Sequence, residues 1–330
     1  MTDLRVDRIR RAFLLSAGAL AVAAAGRARA ADFPVKPVTL VVPYAAGGPT
    51  DVVARLIAEQ LTELWKQRVI VENKPGASGT IGAQAVMQAP ADGHVLLLHA
   101  TSGLTIYPAL AARPVYDTLR DFTPIAPTTY SDLVLVVNPS NPARDVRQLV
   151  AAAKASPGAV SYASAGIGGL NHIGGALLAM LTQTQLTHIP YKGDSPAVAD
   201  LVAGNVTMCF LSANLAIPQV RAGKLRGLAV SGRSRSTALP DLPTMIEAGV
   251  PDFNLRAWNA VLGPAGLPAD RVAMIHAAIA GVMKSHAVRG RLADMGLSVD
   301  EASPRALAER ITGETERWRA VIKAANITPE

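Results

Sequence analysis

Four short stretches of this chain place glycines, hydroxyls and one histidine directly after an apolar run and before a helical pattern. The first is "VVPYAAGGPTDVVARLIAEQL" (41–61), in which Ala45-Ala46-Gly47-Gly48 frees the backbone and Pro49, Thr50 and Asp51 open a helix. The second is "VSYASAGIGGLNHIGGALLAML" (160–181), with the hydroxyl of Ser164, the glycines Gly166, Gly168 and Gly169, and His172 in the first helical turns. The third, "LLLHATSGLTIYPAL" (96–110), ends a strand at Thr101-Ser102. The fourth, "HIPYKGDSPAVADLV" (188–202), ends one at Tyr191-Lys192-Gly193, with Asp194 and Ser195 as caps of the next helix. A strand–turn–helix joint of this kind aims unpaired backbone N–H groups and the positive end of the helix at one point, which suits an anion. Asp51 can also cap those N–H groups, so a plain strand–helix turn accounts for the same residues.

The better-known uses of such turns do not fit. A phosphate loop needs Lys-Ser/Thr after its glycines, and neither glycine turn has them. "GIGGLN" carries Asn171 where a dinucleotide fingerprint has its third glycine, and "YASAG" carries Tyr162 where a nucleophile elbow has its first. His172 has no acidic partner nearby in sequence, which leaves it a capping or ligand-orienting role. The six histidines and the single Cys209 show no metal spacing, so no metal or cofactor is expected. Cys209 lies in "VTMCFL" and reads as a small buried hydrophobe.

Positioning these turns requires a repeating scaffold. Val38–Pro43, Val69–Glu72, Val95–His99, Leu133–Val137, Val160–Ala163, Thr187–Pro190, Thr207–Leu211 and Leu225–Ser231 read as strands, with helical apolar spacing between them. Val52, Val53, Leu56, Ile57, Leu61 and Leu64 form one such stripe. The alternation predicts an α/β protein with mostly parallel sheets and right-handed crossovers. The C-terminal third ends in helices and has no further set of strands large enough for a domain of its own, so it is expected to return to the first domain. The expected organisation is a signal peptide over 1–30, a first lobe from 31–131 and 257–330, and a second lobe from 132–256. Two of the four turns fall in each lobe, at strand carboxyl ends, around one cleft. Hinges are expected near Thr129–Leu133 and Leu255–Asn259, with Trp258 beside one of them.

The N-terminus fixes the compartment. "RIRR", an uncharged run from Ala12 to Ala25 and "ARA" at 28–30 form a secretory signal, too short to span a membrane. Arg10-Arg11-Ala12-Phe13-Leu14 also matches a twin-arginine signal, with Sec export as the other route. Those 30 residues hold six arginines and two aspartates, so the formal +7 of the whole chain falls to +3 after cleavage. With no block of five like charges and 4% aromatic residues, nucleic-acid binding is not expected.

Read in order, "VVPYAAGGPTDVVARLIAEQL", "VIVENKPGASGTIGA", "APADGHVLLL", "SYASAGIGGLNHIGG", "HIPYKGDSPAVADLVAGNV", "AGKLRGLAVSG", "LPDLPTMIEAGVP" and "GPAGLP" resemble successive blocks of the Bug, or TctC-like, receptors of tripartite tricarboxylate transporters. Each block is weakly specific, and the ordered set, from about Pro34 to Glu330, is highly so. The resemblance implies a two-lobed periplasmic binding protein that closes like a flytrap, each lobe a mostly parallel sheet flanked by helices. It implies a monomer without enzymatic activity that captures a small carboxylate and delivers it to membrane permease subunits. Dicarboxylates, tricarboxylates, amino-acid-like and aromatic acids are the ligand classes. The alternatives are an exported hydrolase or isomerase on the same scaffold, or a ligand sensor for a signalling partner. By position, the resemblance points to Tyr44, Ala45, Ala46, Gly47 and Asp51 as ligand-facing, then Thr101 and Ser102, then Ser164, Gly166, Gly168 and His172, and Tyr191, Lys192 and Gly193.

Two departures bear on the ligand. Ala165 stands where the family pattern has a second Ser, and Thr207 and Leu211 stand where it commonly has acidic residues. If the Leu211 face lines the cleft, that end of the pocket is apolar. It then favours a carboxylate with an apolar or neutral remainder over an amino acid.

Overall fold

The computed structural model describes residues 33–328, so the signal-peptide reading lies outside the described residues. Strand β1 (Val38–Val42) leads into helix α1 (Pro49–Trp65), whose buried stripe of Val53, Leu56, Ile57 and Leu61 packs on the sheet. Strand β2 (Val69–Asn73), α2 (Thr80–Met87) and β3 (Val95–Ala100) follow, and β2, β1 and β3 pair in parallel. A π-turn (Ser102–Ile106) and the short α3 (Tyr107–Leu110) and α4 (Thr118–Asp121) lead to β4 (Phe122–Val137).

Strand β4, at 16 residues, is shared by two sheets. Its first part, up to Asp132, pairs antiparallel with β9 (Arg256–Pro264), which itself pairs antiparallel with β3. From Leu133 onward it pairs with β7 (Met208–Ser212) and β8 (Arg226–Val230). The first sheet therefore runs β2-β1-β3-β9-β4, closed by the two-residue β10 (Ser298–Val299). The second is built on β4, β8, β7, β5 (Ser161–Ser164) and β6 (Thr187–Pro190), the last two parallel to each other. Its helices are α5 (Val146–Ala155), α6 (Leu170–Thr182), α7 (Asp194–Ala203) and α8 (Ala213–Arg221).

The first part of β4, β9 and the two-residue β10 were not expected from the sequence. The first part of β4 contains Pro124 and Pro127, which cannot donate to a ladder, and its register with β9 shifts beside each of them. Strand β9 lies mid-sheet where only a hinge is expected from the sequence, at Leu255–Asn259. The helices that follow, α9 (Ala269–Lys284), α10 (His286–Asp294) and α11 (Pro304–Ala324), also divide differently from the expected return to the first domain. Leu307 and Ile311 of α11 pack with Trp258 and Leu97 of the first sheet, but Trp318, Val321 and Ile322 pack in the second core with Leu177 and Phe210. Residues 257–328 thus return to the first sheet and then pack onto the second.

The chain crosses between the sheets at β4 and again between β8 and β9. Ser231 ties the two crossings: Leu133 N donates to its hydroxyl oxygen (2.8 Å), and that hydroxyl donates to Leu255 O.

Candidate functional site

The cleft between the sheets is ringed by helix starts that lack side-chain caps. Helices α1, α6, α7 and α8 have Gly48, Gly169, Gly193 and Ser212 at their N-caps, and none makes a side-chain cap hydrogen bond. Elsewhere Asp117, Asp145, Ser285 and Ser303 do cap α4, α5, α10 and α11. Helices α2, behind Gly79, α3, behind Ile106, and α9, behind Pro268, also start without a side-chain cap, the last away from the cleft. Ser and Asp caps stabilise a helix by about 0.5–2 kcal/mol, which these starts forgo; α1 and α8 keep their first N–H groups for another acceptor, whereas His172 N of α6 donates to Asn171 Oδ1 and Asp194 occupies the first turn of α7.

One part of the cleft, about 700 Å³, is walled by Gly47, Thr50, Asp194, Ser212, Asn214 and Asn259, with Leu215, Met295 and Leu297 as its apolar surface. The other, about 380 Å³, joins Tyr44 and Ala45 to Ser102, Ile167 and Gly168. Among the described residues lining both parts there is no Lys or Arg, and Asp194 is the one charged side chain. Any anion there is held by neutral donors and helix ends.

The first turn is braced from behind. Asp51 is buried, and its carboxylate accepts from Gly47 N (2.8 Å), Arg55 Nε (2.9 Å) and Asn73 Nδ2 (2.8 Å). Burial pushes its pKa up, but these donors outweigh burial and hold it below the ordinary aspartate value. Asp51 therefore shapes the turn and does not face the cleft. Gly47 has φ +83°, and a Cβ there would meet nothing within 4 Å, so this backbone borders open space.

Tyr44 is fixed by a polar chain. His99 is fully buried, which pulls its pKa down to about 3 and keeps the ring neutral. Its Nδ1 accepts from Ala100 N (3.0 Å), and the Tyr44 hydroxyl lies 2.8 Å from the same nitrogen and 3.1 Å from Ser102 Oγ. Burial pushes Tyr44 up to about 12. Gly103 leaves room for the His99 ring, since a Cβ would sit 1.8 Å from it.

In the second turn the hydroxyl of Ser164 is fully buried, 2.6 Å from His188 Nε2, and it accepts from Gly166 N (3.2 Å). His172 stacks on His188 at 3.7 Å between centroids, and its Nδ1 accepts from Gly168 N (3.1 Å). Burial, then the neighbouring His188, lowers His172 to about 4. Ser164 and His172 thus hold the glycine backbone in shape. The Ser164–His188 contact does not make a nucleophile, because no substrate can reach a fully buried hydroxyl.

Other expected residues are also committed elsewhere. Thr101 Oγ1 donates to Trp258 O (3.1 Å) and accepts from Trp258 N (2.8 Å), stapling β3 to β9. The Tyr191 hydroxyl donates to Asp200 (2.8 Å). Gly193, at φ +105°, turns the chain into α7. Ala46 and Lys192 are exposed and line neither part of the cleft.

Leu211 requires a correction. It is fully buried with Val134, Ala163, Leu201 and Cys209, while its neighbours Met208 and Phe210 are buried in the core on the other face. Strand β7 is central and covered on both faces, so neither face reaches the cleft. Ser212, at its end, does. Sequence reasoning passed over Ser212, Asn214 and Asn259, and gave Asp194 and Ser195 only as caps. The "LSAN" joint carries the same strand–turn–helix signal as the four chosen turns. Among the described residues no group of three His, Cys, Asp or Glu could hold a metal ion, and no helix is long and apolar enough to cross a membrane.

Comparison with known proteins agrees with this geometry. The fold matches solved structures throughout. BugD, a periplasmic binding protein, is 32% identical with a TM-score of 0.72, covering 90% of this chain and all of that one. Rpa4515 from R. palustris, solved with adipate, is 32% identical with a TM-score of 0.75 over the same shares. MatC (Rpa3494) from Rhodopseudomonas palustris, solved with malate, is 34% identical with a TM-score of 0.72, covering 88% of this chain and all of that one. The family model described as "Tripartite tricarboxylate transporter family receptor" matches residues 53–327. With two lobes of this fold, a cleft ringed by uncapped helix starts and a family match over most of its length, the chain belongs to the TctC family of tripartite tricarboxylate transporter receptors.

Proposed function

We propose that this chain is a non-catalytic periplasmic receptor that captures a small carboxylate between its lobes and hands it to the permease subunits of a tripartite tricarboxylate transporter. The observation that carries the reading is the set of uncapped helix starts around a cleft whose walls lack Lys and Arg. The malate and adipate bound by the two similar R. palustris proteins support the ligand class. Each hydrogen bond to a charged acceptor contributes about 1.5–3 kcal/mol. Several of them, after association costs, reach about −8 kcal/mol, or micromolar affinity.

The lobes of this reading are 31–131 with 257–330, and 132–256, with the distal half of α11 lying across onto the second. They close about the crossings near Thr129–Leu133 and Leu255–Asn259. Export follows cleavage after Ala30, and the mature receptor is a monomer. Calorimetry of the purified mature protein against dicarboxylates, tricarboxylates, amino acids and aromatic acids tests the reading. Saturable, stoichiometric binding of at least one carboxylate is expected. Turnover of an ester or acid without such binding would replace the receptor with an exported enzyme.

A further inference from the structure

Asp194 is the single charged side chain on the cleft walls among the described residues, and it comes from the second lobe. It is the first residue of α7, directly after the N-cap Gly193. Its Oδ1 accepts from Asn171 Nδ2 (3.1 Å), and its other oxygen has no hydrogen-bond partner among the described residues. A carboxylate there already satisfies the positive end of α7, which closes that helix start to a second anion. The starts of α1 and α8 carry no acidic side chain on the cleft wall. The same walls carry Leu215, Met295 and Leu297, whose side chains offer no polar partner to the middle of a ligand.

Resting on the carboxylate-receptor reading, we propose that this cleft selects a carboxylate that also carries a cationic amino group, joined by an apolar spacer, with Asp194 as the residue that sets this specificity. The carboxylate end sits at the uncapped start of α1 or α8, and the ammonium donates to the free oxygen of Asp194. Asp194 is exposed at the cleft wall, so its free oxygen is open to a charge-assisted N⁺–H···O⁻ hydrogen bond from the ligand. A dicarboxylate of the same length would instead bring its second anion against Asp194, where like charges in a closed cleft repel. Burial already raises the pKa of Asp194, with Asn171 opposing, so a ligand cation would relieve an unfavourable environment and a ligand anion would worsen it. This reverses the ligand expected from Leu211, because Leu211 is in the core and an acidic residue occupies the second-lobe wall instead.

Calorimetry with three probes of similar length, 5-aminovalerate, valerate and glutarate, tests the proposal on the mature protein and on Asp194→Asn. The wild type is expected to bind 5-aminovalerate at least about tenfold more tightly than valerate or glutarate, and that tenfold corresponds to about 1.4 kcal/mol. Asp194→Asn should erase the advantage of the amino group and tighten glutarate. Because Asp194 is exposed and bonded only to Asn171, unchanged thermal unfolding of the variant serves as the control for folding. Wild-type preference for glutarate, or an unchanged ranking in Asp194→Asn, overturns the assignment while leaving a carboxylate receptor standing. Binding of none of the three, with no carboxylate bound in the broader panel, overturns the receptor reading and this proposal together.

Discussion

Gly47 shows what a single position contributes. Its φ of +83° is left-handed, and its Cβ direction is open, so the residue keeps backbone clear at the cleft without crowding the protein. Gly47→Val costs about 1–2 kcal/mol of stability from the backbone conformation. It also fills the ligand space. We expect a modest fall in Tm with at least about tenfold weaker carboxylate binding, read by calorimetry on the folded variant. Wild-type affinity would remove Gly47 from the site. The histidines make a second prediction at this scale. His99 and His172 are neutral in the fold, with pKa values lowered to about 3 and about 4 by burial, against 6.5 when free. The unfolded chain therefore binds protons that the folded one refuses. Stability from this source is complete above about pH 6.5 and is lost as pH falls from there towards 4 and then 3. Near pH 5, unfolding should take up about two protons, one per histidine. Denaturant titrations between pH 7 and 5 measure this. A flat profile would show that the rings are not held neutral. The turns themselves were legible in the sequence, because glycines and hydroxyls after a strand are local signals. Which side chain faces in was not. Ser164 and Asp51 look like ligand groups by type, yet they turn inward because the glycine backbones beside them need acceptors.

At the scale of elements, α11 has the most to say. Its first turns pack on the first sheet through Leu307 and Ile311, and its last turns on the second through Trp318, Val321 and Ile322. Between them the half-buried Glu314 accepts from Trp258 Nε1 (3.0 Å), and Trp318 Nε1 donates to Thr105 Oγ1 (3.1 Å). Trp318 is 1% exposed, so Trp318→Ala should cost about 3–5 kcal/mol in urea unfolding. A loss under about 1 kcal/mol would mean the helix end is not held there. The helical pattern of this segment was visible in the sequence, but its span of both lobes was not, since periodicity gives a face and not a partner. Strand β4 failed for a different reason. Pro124 and Pro127 argue against a central strand, and the fold accommodates them by shifting register with β9 at each. The second part, Leu133–Val137, has no such interruption and was read as a strand.

For the whole molecule, the alternation of strands and helices and the ordered family blocks made the two-lobed architecture legible. The cleft wall was not, because it is assembled from residues as distant as Thr50, Asp194 and Asn259. Two crossings and one bridging helix join the lobes, which suits closure by small rotations at Asp132–Leu133 and Leu255–Arg256. Trp258 lies in β9 beside the second crossing with its indole bonded to Glu314 of the bridging helix, so closure of the lobes would change its environment. Saturation with a bound carboxylate should shift its fluorescence and reduce the radius of gyration in solution scattering. No change in either would argue for a cleft that binds without closing. The most direct measurement is a crystal structure of the mature protein with the tightest-binding carboxylate of the calorimetric panel. The carboxylate oxygens should lie within hydrogen-bond distance of backbone N–H groups at the start of α1 or α8, with no Lys or Arg side chain touching them. A carboxylate paired with a lysine or arginine, or bound outside the cleft, would contradict this reading.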